Sequence, residues 1–240
     1  VKRRRQRQMC IRDRIVSEGL DKHKDQSYVL WGLKQENLAR TMFPVGGFQK
    51  SEIRKMALEW GYEELAKKPV SYEICFIPDN DYRGFLTRRV DGLENEVNGG
   101  NFVSADGKIL GQHDGYPFYT VGQRRGLKIA LGRPMYVTRI IPATNTVVLG
   151  EASELLLNGM HVKNVNMVKF ADAFEGRHAV AKIRSHHKGA ACYIQQKGDN
   201  MQVFFKEKVD AIAPGQSAVF YDGKDVIGGG HIWESFELND

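Results

Sequence analysis

The chain of 240 residues is 42% apolar and 27% charged, the balance of a globular protein long enough for one large domain or two to three small ones. No stretch approaches the roughly 20 apolar residues that a membrane-crossing helix needs, and no signal peptide is recognisable, so we expect a cytoplasmic protein with no membrane partner. The net charge of +6 is concentrated in residues 1–14, which hold seven arginines and lysines against Asp13; the remaining body carries 28 basic and 28 acidic side chains. Bulk charge therefore does not argue for a nucleic-acid partner, and only local patches can.

The first segment has two readings. Its arginines could form a basic arm on RNA. Met9-Cys10-Ile11-Arg12-Asp13, however, is what a sequencing-adapter end encodes when translated, so residues 1–14 are read as a non-native tail and Cys10 as a bystander. Cys10, Cys75 and Cys192 form no C-x-x-C pair and no metal-ligand spacing, which suits a reducing compartment.

Residues 15–86 read as the C-terminal part of an α/β domain. Lys24-Asp25-Gln26 opens an aromatic and apolar stretch from Tyr28 to Leu33. Ser51 is placed to cap a helix whose Ile53, Met56, Ala57 and Trp60 fall at i, i+3, i+4 and i+7, with Gly61 ending it. Tyr72 to Ile77 reads as a strand, and Pro78-Asp79-Asn80-Asp81 as a turn into a helix through Phe85 and Leu86. A complete nucleotide-binding α/β domain needs further strand–helix units before these, so the chain is expected to begin inside one.

From about 87 the pattern changes to short strands separated by glycine turns. Asn98-Gly99-Gly100 and Asp106-Gly107 flank strands near Phe102-Val103 and Ile109-Leu110, and Pro134–Ile141 with Thr146–Leu149 make a second pair. Residues 87–157 are thus a central β-rich module. Residues 158–240 carry five or six further strands at roughly ten-residue spacing, among them 179–185, 191–196, 201–206, 217–221 and 225–233, which suggests a small barrel or sandwich. Gly228-Gly229-Gly230 lies inside the last strand with neither Lys-Ser/Thr nor a helix after it, so it marks a bulge or a close backbone approach rather than a phosphate loop.

Cys75 follows Lys67 and Lys68 at the apolar end of its strand. Two readings stay open on the residues alone: a buried structural thiol, or a thiolate favoured by nearby cations. Cys192, in Ala191-Cys192-Tyr193-Ile194, reads as core. His186-His187 point to opposite faces of an extended chain with no third ligand nearby, and no metal is expected. Alternation places Val180, Lys182 and Arg184 on one strand face and Ala181 and Ile183 on the other. The turn Gly122–Gly126, with Arg124 and Arg125, is basic; approach to an RNA arm and a plain structural turn are both open.

Three ordered blocks carry a resemblance: Lys24-Asp25-Gln26-Ser27-Tyr28; the stretch from Lys67 through Cys75 to Ile77; and Gly111-Gln112-His113 with Tyr119-Thr120-Val121-Gly122-Gln123-Arg124-Arg125-Gly126-Leu127. They resemble the tRNA-specific 2-thiouridylases from about Asp21 to about Ile232. The resemblance implies an α/β remnant of an adenylating PP-loop-type domain followed by two β-rich modules, the last a small β-barrel. It implies ATP-dependent 2-thiolation of the wobble uridine of tRNA, with a persulfide-carrying sulfur-relay protein as partner. Cys75 would be the catalytic sulfur acceptor, assisted by an upstream cysteine through a disulfide. Lys24, Asp25, Gln26, Arg184, Ser185 and Gln216 (in Pro214-Gly215-Gln216-Ser217) would contact tRNA; Ser185 replaces a more usual aromatic residue.

Two departures stand out. The family's Ser-Gly-Gly-x-Asp-Ser loop for ATP is not in these 240 residues, nor is the upstream cysteine in its Asn-Pro context. The expectation is a truncated family member that is inactive alone. An RNA-binding β protein without sulfur chemistry is the alternative from another class; a different ATP-pyrophosphatase is a third reading, disfavoured because such enzymes share the ATP loop and not the Cys75 segment.

Overall fold

A computed structural model describes residues 14–69, 77, 79, 81–97, 99–130 and 132–238. Cys75, nearly all of its expected strand and residues 1–13 lie outside the described residues. The chain divides into two compact units, one of residues 1–68, 158–209 and 214–240, the other of residues 69–157 and 210–213.

The first unit is built on a closed barrel of six strands. They are β5 (Leu156–Met167), β6 (Arg177–Lys182), β7 (Ala190–Lys197), β8 (Asn200–Asp210), β9 (Ser217–Asp222) and β10 (Asp225–Phe236), ordered β10-β5-β8-β7-β6-β9. Alternation sets the inward face: Met201, Val203 and Phe205 of β8 are buried while their neighbours are not, and Ala181 and Ile183 are buried beside the half-exposed Val180. β9 breaks that rhythm, since Ala218, Val219, Phe220 and Tyr221 are all buried. A strand buried on both faces reads as a continuous apolar run because something covers its outer side. Here the cover is residues 14–38: Val16 and Leu38 pack with Val168, Val219, Tyr221 and Val226, flanked by Tyr28, Leu30, Trp31 and Leu33.

Backbone groups tie this cover down. Val226 N–H donates to Val16 O at 2.8 Å, Glu18 N–H to Lys224 O at 2.8 Å, and Asn166 Nδ2 to Trp31 O at 2.7 Å. The glycine triple permits the approach. A Cβ on Gly229 would lie 2.8 Å from both Ala218 O and Trp31 Cγ, and one on Gly228 only 2.4 Å from Asn166 O. The β10 register also shifts on either side of the triple, so it is both a bulge and a close approach.

Beyond the cover the chain is helical: α1 (Gln35–Leu38), α2 (Lys50–Glu59) and α3 (Glu63–Lys67). Ser51 does not cap α2. The cap is Gln49, whose N–H donates to Glu52 Oε2 at 2.6 Å, while Lys50 N–H finds Asp21 Oδ2 at 3.0 Å. Glu52, at the third helical position, can fold back on the cap, and Asp21 adds a second carboxylate where the helix leaves its amides unpaired. Gly61 follows the helix at φ +82, as expected of its terminator. The stripe Ile53, Met56, Ala57 is only half-buried, and Trp60 is 67% exposed.

The second unit holds α4 (Tyr82–Arg89), α5 (Leu93–Val97) and a four-stranded sheet of β1 (Gly100–Ser104), β2 (Ile109–His113), β3 (Tyr136–Ile141) and β4 (Thr146–Gly150), ordered β2-β1-β4-β3 with only β1 and β4 parallel. Its core gathers Phe102, Tyr119, Leu127, Met135, Val137, Val147 and Leu149. None of the described helices is long and apolar enough to cross a membrane.

Candidate nucleic-acid interface

The candidate tRNA-contacting residues named from sequence fall on the covered flank of the barrel. Asp25 sits in the turn before the cover. Its Oδ1 accepts from Gly19 N at 2.8 Å and Ser27 N at 3.3 Å, and its Oδ2 accepts from Ser27 Oγ at 2.7 Å. The Ser27 hydroxyl, buried, shares a second hydrogen bond of 3.1 Å with Tyr221 Oη on β9. Burial pushes the Tyr221 phenol up to about 12, so it stays protonated at any ordinary pH. One residue on, Tyr28 Oη donates to Ser217 O at 2.7 Å. Asp25 is therefore spent inside the protein, fixing the turn. Lys24 and Gln26, on either side of it, are exposed.

The same flank carries the other two segments. Gln216 immediately precedes Ser217 and is exposed, in a turn where Gly215 adopts φ +87 and Ile232 N–H donates to Gln216 O at 2.8 Å. β6 runs antiparallel to β9 with Lys182 opposite Val219. Lys182 Nζ reaches Glu18 Oε1 at 2.7 Å and lies 4.5 Å above the Tyr221 ring, so this cation is held by the cover. Arg184, two residues further, is exposed, as is Ser185, whose hydroxyl meets His186 Nδ1 at 3.1 Å. Lys24, Gln26, Arg184, Ser185 and Gln216 thus belong to three segments borne by the β6–β9 flank, with Asp25 fixing the turn between Lys24 and Gln26. Cys75 is not among the described residues, and its placement relative to this flank is not described.

The other sequence blocks turn out to organise the second unit. His113 is 5% exposed, its ring set against Phe102 and Tyr119 with centroids 5.0 and 5.3 Å away. Gly115 N–H donates to its Nδ1 at 3.0 Å, which places the proton on Nε2, a buried atom with no partner among the described residues. Burial lowers its pKa, keeping the ring neutral. In the other block, Tyr119 and Leu127 enter the core, and Gly122 N–H donates to Val137 O at 2.8 Å.

Sequence reasoning missed Glu18, Ser27 and Tyr221, the groups that hold the flank. No local signal marks them, because each partner lies 164 or 194 residues away along the chain. Cys192, read as core, is buried, with its pKa pushed up to about 12 by burial. The Gly228–Gly230 backbone is packed against Asn166, Ala218, Trp31 and Lys163, leaving no cradle for a phosphate. Among the described residues there is no group of three His, Cys, Asp or Glu placed to hold a metal ion.

Three family models match successive parts of the chain: a tRNA methyl transferase HUP domain over residues 4–79, a tRNA methyl transferase PRC-barrel domain over 85–151, and an aminomethyltransferase beta-barrel domain over 157–232. The fold class expected from sequence, an α/β portion followed by two β-rich modules ending in a barrel, agrees with these matches and with the closed barrel. Curated relatives include the tRNA-specific 2-thiouridylase MnmA of Amoebophilus asiaticus, 57% identical over 225 residues, and that of Cytophaga hutchinsonii, 54% identical over 225 residues; each alignment covers 93% of this chain. The protein of the same name from Carboxydothermus hydrogenoformans is 46% identical over 215 residues, 89% of the chain. The chain spans about 60% of the length of these relatives: 60%, 61% and 58% respectively.

Proposed function

The chain belongs to the tRNA-specific 2-thiouridylase family, and we propose on that premise that it is part of a cytoplasmic enzyme replacing the C2 oxygen of the tRNA wobble uridine with sulfur. The observation that carries this reading is the 57% identity to a 2-thiouridylase across 93% of the chain. Cys75 accepts sulfur as a persulfide from a relay protein. The terminal sulfur attacks C2 and the activated oxygen departs. The thiolate of a second cysteine then attacks Cys75 Sγ, breaking the S–S bond, leaving sulfur on the base and closing a disulfide. ATP would supply the activation, making the C2 oxygen a leaving group as an adenylate. The residues present do not fit ATP: the glycine-serine loop is not in the sequence, and the Gly228–Gly230 run is filled by its neighbours. This chain's own contributions are then sulfur transfer and the grip on RNA.

For the grip we assign Lys24, Gln26, Arg184 and Gln216, with Ser185 beside them and Asp25 holding the turn. What supports this is exposure of the first four on one flank, with Asp25 fixing the turn that carries Lys24 and Gln26. Donor-rich side chains of this kind position a phosphate backbone. Arg184→Ala should weaken tRNA binding and lower the slope of log affinity against log salt by about one, measured by fluorescence anisotropy. An unchanged affinity and slope would remove Arg184 and the flank from the RNA site.

A further inference from the structure

In a body whose charges balance, residues 115–150 are an exception: Arg124, Arg125, Lys128, Arg133 and Arg139 stand there without one Asp or Glu. The carboxylates that reach this stretch come from either side of it. Lys128 Nζ meets Asp114 Oδ2 at 3.0 Å, and the same oxygen takes Arg83 Nη1 at 2.7 Å; Arg133 Nη1 meets Glu151 Oε1 at 2.6 Å. Arg124 and Arg125 are exposed and, among the described residues, neither guanidinium has an ion pair or hydrogen bond. Two adjacent guanidinium groups without counter-charges repel each other and keep five donors apiece to offer.

The backbone beneath them is held firmly. Gly122 and Gly126 adopt φ +89 and +74 at the two ends of the turn, and Lys128, not a glycine, is also left-handed at φ +54. Gln123 braces the interior: its Oε1 accepts from Thr120 N at 3.1 Å, and its Nε2 donates to Arg125 O at 2.9 Å. Val137 N–H donates to Gln123 O at 2.9 Å, and buried Tyr119 and Leu127 pin both ends into the core. Strain at a non-glycine residue persists only where the surroundings hold it, and such positions cluster at binding sites. Beside the turn, Arg124, Lys128 and Arg133 line a cavity of about 430 Å³.

We propose that the Arg124–Arg125 turn of the second unit is an RNA-phosphate contact in its own right, separate from the barrel flank. It rests on the reading that the chain binds tRNA. Guanidinium groups bind phosphate oxygens through two parallel N–H donors, and a preformed turn avoids the entropic cost of ordering them on binding. The contribution assigned to the turn is positional, a grip on the backbone and not a reading of bases.

The test measures binding of a labelled tRNA transcript to this chain across a salt series, for the unchanged protein, R124A/R125A, R124K/R125K and R184A. R124A/R125A should lower the salt slope by about two, so that the affinity lost between about 50 and 200 mM salt shrinks roughly ten-fold, while the lysine pair keeps the slope near its original value. Both side chains are solvent-exposed, so the thermal midpoint of R124A/R125A should be unchanged. If R124A/R125A keeps full affinity and slope while R184A loses them, this inference falls and the barrel-flank reading stands. If the unchanged chain shows no salt-dependent tRNA binding, both fall.

Discussion

The barrel and the helical stretch that follows its cover are parts of one unit, yet they use apolar residues in opposite ways. Phe220, Val219, Met160, Val162, Val203 and Ile227 are each 0% exposed within the strands. In residues 42–65, by contrast, Met42 is 84% exposed, Trp60 67% and Leu65 65%, and α2 buries none of its ten residues completely. The barrel closes its hydrogen bonds on itself, and residues 14–38 seal the outer face of β9. The helices form from local signals, a cap at Gln49 and a stop at Gly61, without enclosing a core. Local structure and burial therefore come apart within this chain: the same amphipathic pattern that shapes α2 leaves Ile53, Met56 and Ala57 half-buried and Leu58 and Trp60 largely in contact with water.

That contrast breaks most sharply under truncation of a large side chain. Phe220→Ala should cost about 3–5 kcal/mol, the lost transfer energy plus the cavity left in a strand buried on both faces. Trp60→Ala removes a larger ring but should stay within about 0.5 kcal/mol, since the ring is mostly solvated. Urea midpoints for the two variants decide it. Comparable losses would mean that α2 is part of the barrel's cooperative core.

A smaller effect sharpens how the cover is fastened. Asp225 accepts from Lys169 Nζ at 2.7 Å through Oδ2 and from Ser17 Oγ at 2.6 Å through Oδ1, joining the start of the cover to β10. The lysine bond, then the serine bond, hold its carboxyl below the ordinary value of 3.8. A depressed folded-state pKa means that the associated stability is complete above 3.8 and is lost as pH falls through the lowered value. Asp225→Asn should therefore flatten the acid limb of stability below about pH 4 and leave its shape near neutrality unchanged. The urea midpoint followed against pH tests this, and an unaltered acid limb would show that Asp225 does not fasten the cover.

The barrel was legible because its strands alternate and its turns carry glycine: Gly198-Asp199-Asn200 leads from β7 into β8, and Asp222-Gly223 leads out of β9 toward β10. β5 was not, although it is twelve residues long. Its sequence interrupts the apolar positions with Asn158, Gly159, His161, Lys163, Asn164 and Asn166, and Asn164 takes a left-handed φ of +54. Asn and Gly are poor strand formers, and the strand exists because β8 and β10 pair with it on either side. The expected cap at Ser51 lost to Gln49 because Glu52 and Asp21 supply the carboxylates there. At the candidate site, the exposed donors came from matching blocks of sequence. That Asp25 faces inward could not be read, since it depends on the Ser27 hydroxyl, which donates to Asp25 and pairs with Tyr221 Oη across 194 residues. Nor could the sequence show that Lys182 is taken by Glu18 while Arg184, expected on the same strand face, lies past the end of β6 and is exposed.

The proposed chemistry turns on one sulfur atom. Cys192 is the poorer candidate, for burial pushes its thiol up to about 12 and away from the thiolate. Cys75, after Lys67 and Lys68, is the candidate that could spend time as thiolate. The decisive measurement is the 2-thiouridine content of tRNA, by nucleoside mass spectrometry, in cells whose 2-thiouridylase carries this sequence at full length, with Cys75→Ser and Cys192→Ser compared side by side. The account predicts that Cys75→Ser abolishes the modification, because a hydroxyl carries no persulfide, while Cys192→Ser retains it. Thiolation that survives Cys75→Ser would contradict the assignment of the sulfur acceptor and with it the mechanism proposed here.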